Sequence, residues 1–250
     1  HVWDRGEKGI LNAIRRWEEL AVEYVGANKD AADSARLRLV ERNGIVFSFL
    51  AYTYGTNGIP IPEGKTYLVD VIDPLRIQAD VAVARAQSDV VVVSLHFGNE
   101  YERMPNEEQR ALVQFVADQG AHVILGHHPH VLQPVEMVRS ALGYETFVSY
   151  SLGNFLAAQD HLYRRLGGIV HVEIVKTVRG DAVDVRVQAP AFLPTYIHFQ
   201  NWRDYVVLPL AHVTEVQLPD AREHEEALRH HMAQYVPQLR WHPAETVPRP

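Results

Sequence analysis

The clearest fold signal in this sequence is the stretch DVVVVSL at residues 89–95. Its unbroken run of apolar, mostly β-branched side chains is typical of a strand that is buried on both faces. A second apolar run at residues 121–125 follows a helix-capping pattern, in which Asn106 precedes Gln109 by three residues, and a helix-terminating Gly120. Alternating helices and buried strands predict an α/β fold with parallel neighbours in the sheet.

The segments upstream of this stretch extend the pattern. Apolar residues recur at helical spacing over residues 10–21, and the preceding Asp4-Arg5-Gly6-Glu7 resembles a capping box. Asn43-Gly44 lies between two short apolar runs, which predicts a β-hairpin. Asp73-Pro74 is a favourable helix start, so a helix is predicted from there to Ala86.

The C-terminal half has a different sequence pattern, in which predicted strands are joined by turns with little helix between them. A late helix is predicted at Asp220–Tyr235, followed by a proline-rich, irregular tail. The simplest interpretation is a single domain over residues 1–250, with the late helix and tail beginning at about residue 218. The predicted strands are 131–138, 146–152, 168–176 and 182–189.

Composition excludes some classes of function. The chain has 250 residues, a net charge of −7 and no cluster of Lys and Arg, so a nucleic-acid partner is not expected. It has no cysteine, which excludes disulfides and thiolate metal sites. A metal would have to use His, Asp, Glu or Asn, a donor set that favours zinc, manganese or iron. No run approaches the roughly 20 apolar residues that span a bilayer.

Histidines follow both buried strands directly. His96 comes after the first strand, and His127, His128 and His130 come after the second. Because the carboxyl ends of parallel strands meet at one edge of a sheet, these imidazoles are expected to converge on a metal ion. In an extended loop, residues 128 and 130 would point the same way. The alternative is chance clustering, since the chain has 14 histidines.

Several other residues have two interpretations. Asp4 is either a helix cap only or an additional site residue, and Asn154 either lines the site or holds a turn. Arg103 and Arg110 either form walls of a binding groove or are ordinary solvated charges. Trp17 has the spacing of a core residue. The isolated histidines, His122 among them, are expected to be surface or packing residues.

The motifs, taken in order, resemble those of the bacterial capsule-synthesis CapA family, which is associated with poly-γ-glutamate. The likeness runs from residue 1 to about residue 155. It is carried by HVWDRG (1–6), HFGNEY (96–101), the segment 105–109, GHHPHV (126–131) and YSLGNF (150–155).

The resemblance implies a four-layer α/β/β/α sandwich similar to metallophosphatases, with the N-terminal part of the fold missing from this chain. It also implies a divalent metal, with two ions in the complete protein, as in metallophosphatases. His96, His128 and His130 would be ligands, and His127 competes with His128. The candidate catalytic residues are His1, as a general acid, and Glu100. Candidate substrate-binding residues are Asn99, Arg103 and Asn154, with Asp4 as an additional site residue.

Two functions are compatible with this resemblance. One is a metal-dependent, phosphoesterase-like hydrolase at the cell envelope. The other is a non-catalytic component of poly-γ-glutamate assembly or export with a vestigial metal site. Expected partners are an anionic polymer or a phosphoester and other capsule-synthesis membrane proteins, and an anchor is expected upstream of residue 1. A zinc peptidase is a weaker third interpretation, because the sequence has no His-Glu-x-x-His motif.

Overall fold

The computed structural model describes residues 1–242, which form two β-sheets. The first sheet has six strands in the order β1-β2-β3-β4-β6-β5. Strands β2, β3, β4 and β6 are parallel, whereas β1 and β5 pair antiparallel at the two edges. These strands are β1 Arg38–Arg42, β2 Ile45–Thr53, β3 Val90–His96, β4 Val123–His127, β5 Leu132–Arg139 and β6 Glu145–Leu152.

The second sheet is built by the C-terminal part of the chain. Its centre is the long strand β8, which pairs antiparallel with β7 and β9 and parallel with β10. The strands are β7 Leu166–Arg179, β8 Ala182–Gln200, β9 Arg203–Pro209 and β10 Arg240–Trp241. The strand-rich half predicted from sequence is therefore divided, because β5 and β6 complete the first sheet and the later strands form the second.

Within the described part of the chain, six α-helices accompany the sheets. The long ones are α1, α3, α4 and α6, whereas α2 and α5 are single turns. Their bounds are α1 Gly6–Glu19, α2 Ala31–Ser34, α3 Pro74–Gln87, α4 Glu107–Gln119, α5 Leu162–Arg165 and α6 Ala221–Met232, with short 3-10 turns at Thr66–Leu68 and Leu210–His212. Over residues 1–242, no helix is long and apolar enough to cross a lipid bilayer.

Strand β3 explains why the stretch at residues 89–95 is apolar throughout. Val91 and Val93 belong to the core beneath α3 and α4, while Val90 and Val92 face the second sheet and pack in the core that contains Phe192. Because both faces are buried, no position on the strand can be polar without a partner. The predicted mixed α/β architecture with two sheets is confirmed.

The local turn and cap predictions have mixed outcomes. The hairpin is confirmed, since Asn43 and Gly44 have φ values of 53° and 74° between the antiparallel strands β1 and β2. The capping box at the start of α4 is also confirmed, with the Asn106 side chain accepting from the Gln109 N–H at 2.8 Å.

The proposed capping box at the start of α1 is wrong. The N-cap residue is Arg5, and no side chain among the described residues caps the helix. The two carboxylates have other partners, because Asp4 bonds to His1 and Glu7 accepts from Lys65 Nζ at 2.7 Å.

The late helix is confirmed as α6, which begins one residue later and ends three residues earlier than predicted. Its Leu228 and Met232 pack into the core between the sheets. Most of the predicted irregular tail, residues 243–250, lies outside the described residues. The division of the chain into a single domain stays a prediction.

Candidate functional site

The ends of β3 and β4 lie side by side at one edge of the first sheet. His96 and His127 are register partners in this parallel pair, and the Phe97 N–H donates to the His127 carbonyl at 3.1 Å. His96 has the same strand parity as Val90 and Val92, so it points toward the second sheet, and paired His127 points to that same face. The topology therefore brings the two strand-end histidines together, as the sequence predicts.

The segment after β4 is a left-handed turn and not the extended loop that the sequence suggested. His128 and His130 have φ values of 103° and 60°. The Tyr101 N–H donates to the Pro129 carbonyl between them at 2.8 Å. Non-glycine residues in such conformations cost on the order of 1–3 kcal/mol each and concentrate at functional sites.

Gly126 is required by packing within the sheet. A Cβ at this position would lie 2.0 Å from the Tyr150 carbonyl oxygen and 2.8 Å from the Phe97 ring. The absence of a side chain thus lets β4 close against β6 just before the turn.

Three imidazoles form a cluster at this edge, which we call the histidine cluster: His96, His128 and His130. The ring centres of His96 and His128 are 4.8 Å apart, and those of His128 and His130 are 6.3 Å apart. A nitrogen–metal bond of about 2.1 Å places a ring centre about 3.2 Å from the ion, so two rings on one ion are at most about 6.4 Å apart. At a tetrahedral angle the separation is about 5.2 Å, so the first pair is close enough as it stands, whereas the 6.3 Å of the second fits only rings almost opposite each other across the ion.

His127 lies apart from these ring contacts. Its side chain is exposed, and it lines a cavity of about 260 Å³ together with His1 and His96. Of the two histidines that compete for one ligand role, His128 is the one whose ring contacts both His96 and His130.

Burial favours the neutral form of two imidazoles of the cluster, those of His96 and His128. Burial, followed by the neighbouring His128, lowers the pKa of His96 to about 4. Burial also lowers the pKa of His128, an effect that Glu100 partly opposes. At neutral pH both rings are uncharged, which is the state in which imidazole binds a metal.

The third histidine is held by polar neighbours. His130 Nδ1 lies 2.9 Å from Asn154 Oδ1, and its Nε2 lies 3.9 Å from a Glu100 carboxylate oxygen. Asn154 is 9% exposed and Glu100 is 47% exposed. Because Glu100 is the more exposed of the two, it is the residue that a ligand entering from solvent would contact.

The donor set fits a metal by its chemistry, and the geometry is incomplete. Among residues 1–242, no three His, Asp or Glu side chains stand close enough together to hold an ion as they are placed. The nitrogen donors at this edge of the sheet are the three imidazoles of the cluster. Glu100 is its nearby carboxylate, and it stands on the exposed side.

His1 and Asp4 form a pair beside this site. His1 Nδ1 lies 2.8 Å from Asp4 Oδ2 and 3.2 Å from the Asn57 amide nitrogen. From sequence, Asp4 was either a helix cap or an additional site residue, and this pairing was not predicted. The only sequence signal for it is the spacing of three residues, which is shared with many unrelated pairs.

The remaining candidate residues form the rim. Asn99 donates to Glu102 at 3.1 Å, and the Arg103 guanidinium lies 4.0 Å from the Tyr163 ring centre. Arg110 is directed away from the site, where it bonds to Tyr235 and lies 3.6 Å from Glu136.

Two tyrosines that were not predicted from sequence also contact the histidine cluster. The Tyr54 ring centre lies 4.8 Å from that of His128, and the Tyr101 ring stacks on His130 at 6.0 Å. Tyr101 ends the HFGNEY motif without a role being evident from it, and nothing in the sequence around Tyr54 distinguishes that residue from a packing residue.

Two sheets with histidines gathered at the carboxyl ends of adjacent strands define a mixed α/β protein with a histidine-rich strand-end site. A family described as "Bacterial capsule synthesis protein PGA_cap" matches residues 1–159. The chain belongs to this family, which confirms the resemblance found in the motifs.

Curated relatives agree with this assignment. The PGA biosynthesis protein CapA of Bacillus subtilis (strain 168) is 30% identical over 196 residues, covering 76% of this chain and 50% of that protein. The capsule biosynthesis protein CapA of Bacillus anthracis is 31% identical over 194 residues, covering 75% and 46%. The chain thus spans about half the length of these relatives.

Solved structures show a weaker likeness. A 5′-nucleotidase precursor from Thermus thermophilus has a TM-score of 0.49 and 19% identity, covering 94% of this chain and 41% of that one. The NAD nucleotidase of Haemophilus influenzae has a TM-score of 0.48 and 11% identity, covering 98% and 42%. Both scores lie below 0.5, so neither supports an argument about activity.

Proposed function

We propose that this chain supplies the histidine ligands of a divalent-metal site, phosphoesterase-like in its chemistry, in a capsule-synthesis protein of the cell envelope. The observation that supports the proposal is the spacing of the histidine cluster, with neighbouring ring centres 4.8 and 6.3 Å apart at adjacent strand ends. Zinc, manganese and iron are the ions that suit imidazole and carboxylate donors.

The residues of the site would divide into metal ligands and a proton donor. His96, His128 and His130 would hold the ion, and Glu100 is the nearby carboxylate. When bound, a divalent ion polarises an anionic oxygen of the substrate and makes water a better nucleophile. His1 in its doubly protonated form would donate the Nε2 proton to the leaving oxygen and become the neutral Nδ1–H form, because Asp4 accepts from its Nδ1 and so orients the ring.

A non-catalytic role is the second candidate, and two observations favour it. Residues 1–242 place no second carboxylate in the histidine cluster, as a two-ion centre would need. Arg103 and Arg164 also lie at the rim, each over a tyrosine ring. Guanidinium groups recognise carboxylates well, so this rim suits an anionic polymer such as poly-γ-glutamate. In this role the protein would work with other capsule-synthesis proteins at the membrane.

Metal binding is tested first, with the full-length protein that contains this chain. Calorimetric titration with manganese and with zinc should show binding in the wild type and loss of most of it in His128→Ala/His130→Ala. The matched control is His212→Ala/His230→Ala, which removes two histidines far from the cluster in sequence. Equal affinity in all three proteins would refute the site.

Catalysis is tested separately. We expect the full-length protein to hydrolyse an aryl phosphodiester with added manganese, and the cluster variant to lose this turnover. Metal binding without any metal-dependent turnover across a substrate panel would favour the non-catalytic role.

A further inference from the structure

Asn154 lies where the chain passes from the first sheet to the second. It follows the end of β6 and precedes β7, next to a bridge between Gly153 and Gly167. From sequence, its two possible roles are lining the site and holding a turn. At 9% exposed, with both polar atoms of its side chain bonded inside the protein, it has little left to offer a substrate.

The orientation of its amide group is fixed by a backbone carbonyl. Asn154 Nδ2 lies 2.9 Å from the Arg164 carbonyl oxygen and 3.3 Å from Gln159 Oε1. A carbonyl oxygen only accepts hydrogen bonds, so the atom that faces it must be the NH₂ group. The other end of the amide, which faces His130, is therefore the oxygen.

This orientation determines where His130 carries its proton. Asn154 Oδ1 only accepts, and it lies 2.9 Å from His130 Nδ1, so Nδ1 must be the protonated nitrogen. In a neutral imidazole, Nε2 then has the free lone pair. We propose that Asn154 is a positioning residue that holds the Nδ1–H form of His130 and leaves Nε2 as its ligand atom.

The backbone around Asn154 is built to keep it in place. A Cβ at Gly167 would lie 2.2 Å from the Asn154 carbonyl oxygen, and one at Gly153 would lie 2.6 Å from the Leu166 carbonyl oxygen. The two chain segments therefore touch backbone to backbone. Such close packing fixes the position of the backbone from which the Asn154 side chain reaches His130.

A second contact joins the same groups. Arg164, whose carbonyl orients Asn154, places its guanidinium 3.6 Å from the Tyr101 ring centre, and that ring stacks on His130. The segment between β6 and β7 thus holds His130 both by its ring nitrogen and by its face.

The tautomer is measured directly on the metal-free protein. Two-dimensional ¹⁵N–¹H NMR at alkaline pH should show His130 mainly as the Nδ1–H form in the wild type. Asn154→Leu removes the acceptor and should move the tautomer ratio toward Nε2–H by roughly tenfold, as expected for one lost hydrogen bond. Asn12→Leu, on the exposed face of α1, is the matched control and should change nothing.

A conservative variant separates positioning from general loss of structure. Asn154→Asp keeps an acceptor facing His130 Nδ1 and should retain the Nδ1–H form, even though it loses the bond to the Arg164 carbonyl. This variant is decisive if the leucine variant does not fold. An unchanged ratio in Asn154→Leu, or an Nε2–H form in the wild type or in Asn154→Asp, would overturn the assignment.

The consequence for metal binding rests on the proposed function. Residues that orient a ligand typically contribute about 10- to 100-fold to metal affinity, so Asn154→Leu should weaken manganese or zinc binding by that factor. If no protein binds metal, the proposed function fails while the NMR result still decides the role of Asn154. If metal binds and Asn154→Leu changes neither affinity nor tautomer, only the present inference fails.

Discussion

His96 ends strand β3 and His122 directly precedes the neighbouring strand β4, and the pKa values of the two rings are shifted alike in different surroundings. Burial lowers the pKa of each ring to about 4. His122 lies at the start of β4, where its Nδ1 accepts from the Val91 N–H at 3.1 Å and its ring stacks on Tyr144 at 4.9 Å. His96 lies at the opposite end of its strand, 4.8 Å from His128.

The comparison shows that a lowered histidine pKa does not by itself identify a site. Both rings are neutral at pH 7, and in His122 a backbone N–H already uses the free lone pair. In His96 the neighbours are other imidazoles and a cavity. The end of the strand on which a histidine lies, rather than its burial, separates a packing residue from a candidate ligand.

The largest expected difference between the two histidines is in metal affinity. In the full-length protein, His96→Ala should weaken manganese or zinc binding by at least about 100-fold, because loss of a ligand costs more than the ~10- to 100-fold of its supporting residues. His122→Ala should leave the affinity unchanged. Isothermal titration calorimetry of both variants checks this, and similar losses in the two would remove the distinction.

The next largest effect is on the pH dependence of stability. The pKa of His122 is about 4 in the folded chain and about 6.5 when unfolded, so the unfolded state binds the extra proton between these values. The contribution of His122 to the free energy of unfolding should therefore rise by up to about 3 kcal/mol from pH 4 to pH 6.5. Above pH 6.5 this contribution should stay constant.

The variant His122→Gln isolates this contribution. Its amide oxygen still accepts from the Val91 N–H, but it does not titrate, so part of the acid sensitivity should disappear. Urea unfolding of both proteins across the pH range is the measurement. Identical slopes would show that His122 does not titrate in this way.

A smaller effect concerns stability at neutral pH. His122→Ala leaves the buried Val91 N–H without its acceptor and removes the stacking on Tyr144, which together should cost roughly 2 kcal/mol. His96→Ala opens onto a cavity and leaves no buried donor unpaired among the described residues, so it should cost less than about 1 kcal/mol. Chemical denaturation of the metal-free proteins compares them, and the reverse order would contradict our interpretation.

The smallest effect lies beside His122. The Tyr144 hydroxyl is buried without a hydrogen-bond partner among the described residues. Tyr144→Phe keeps the ring stacked on His122 and removes this unsatisfied group, so stability should rise by up to about 1 kcal/mol. A loss of stability in thermal unfolding would mean that the hydroxyl has a partner, such as an ordered water.

The fold was predictable wherever local chemistry and burial agree. Strand β3 is apolar because both of its faces are covered, and the α4 cap follows from the spacing of Asn106 and Gln109. Strand β8 was predicted to end at residue 189 but continues to Gln200, passing a left-handed Ala189 and a proline at 190. Sequence rules interpret such an irregularity as the end of a strand. The pairing of β9 and β10 depends on this continuation.

The site was predictable as far as topology determines it. Histidines that follow two adjacent parallel strands must lie near each other, and they do. The bond between His1 and Asp4 is local, but its spacing of three residues is shared with many unrelated pairs. The left-handed turn at residues 128–130 is accompanied by a contact with Tyr101, which single-sequence patterns do not contain. The same is true of Asn154, whose partners come from separate segments of the chain.

At His128 and His130, the residue that suits the backbone best differs from the residue that the proposed site needs. Their φ values of 103° and 60° suit glycine or asparagine better than histidine. Replacement by glycine would relax the backbone and favour folding, while it would remove the imidazoles. Random mutation followed by selection for thermal resistance alone should therefore accumulate substitutions at these two positions. Selection for ligand binding should instead retain both histidines, despite their strained backbone.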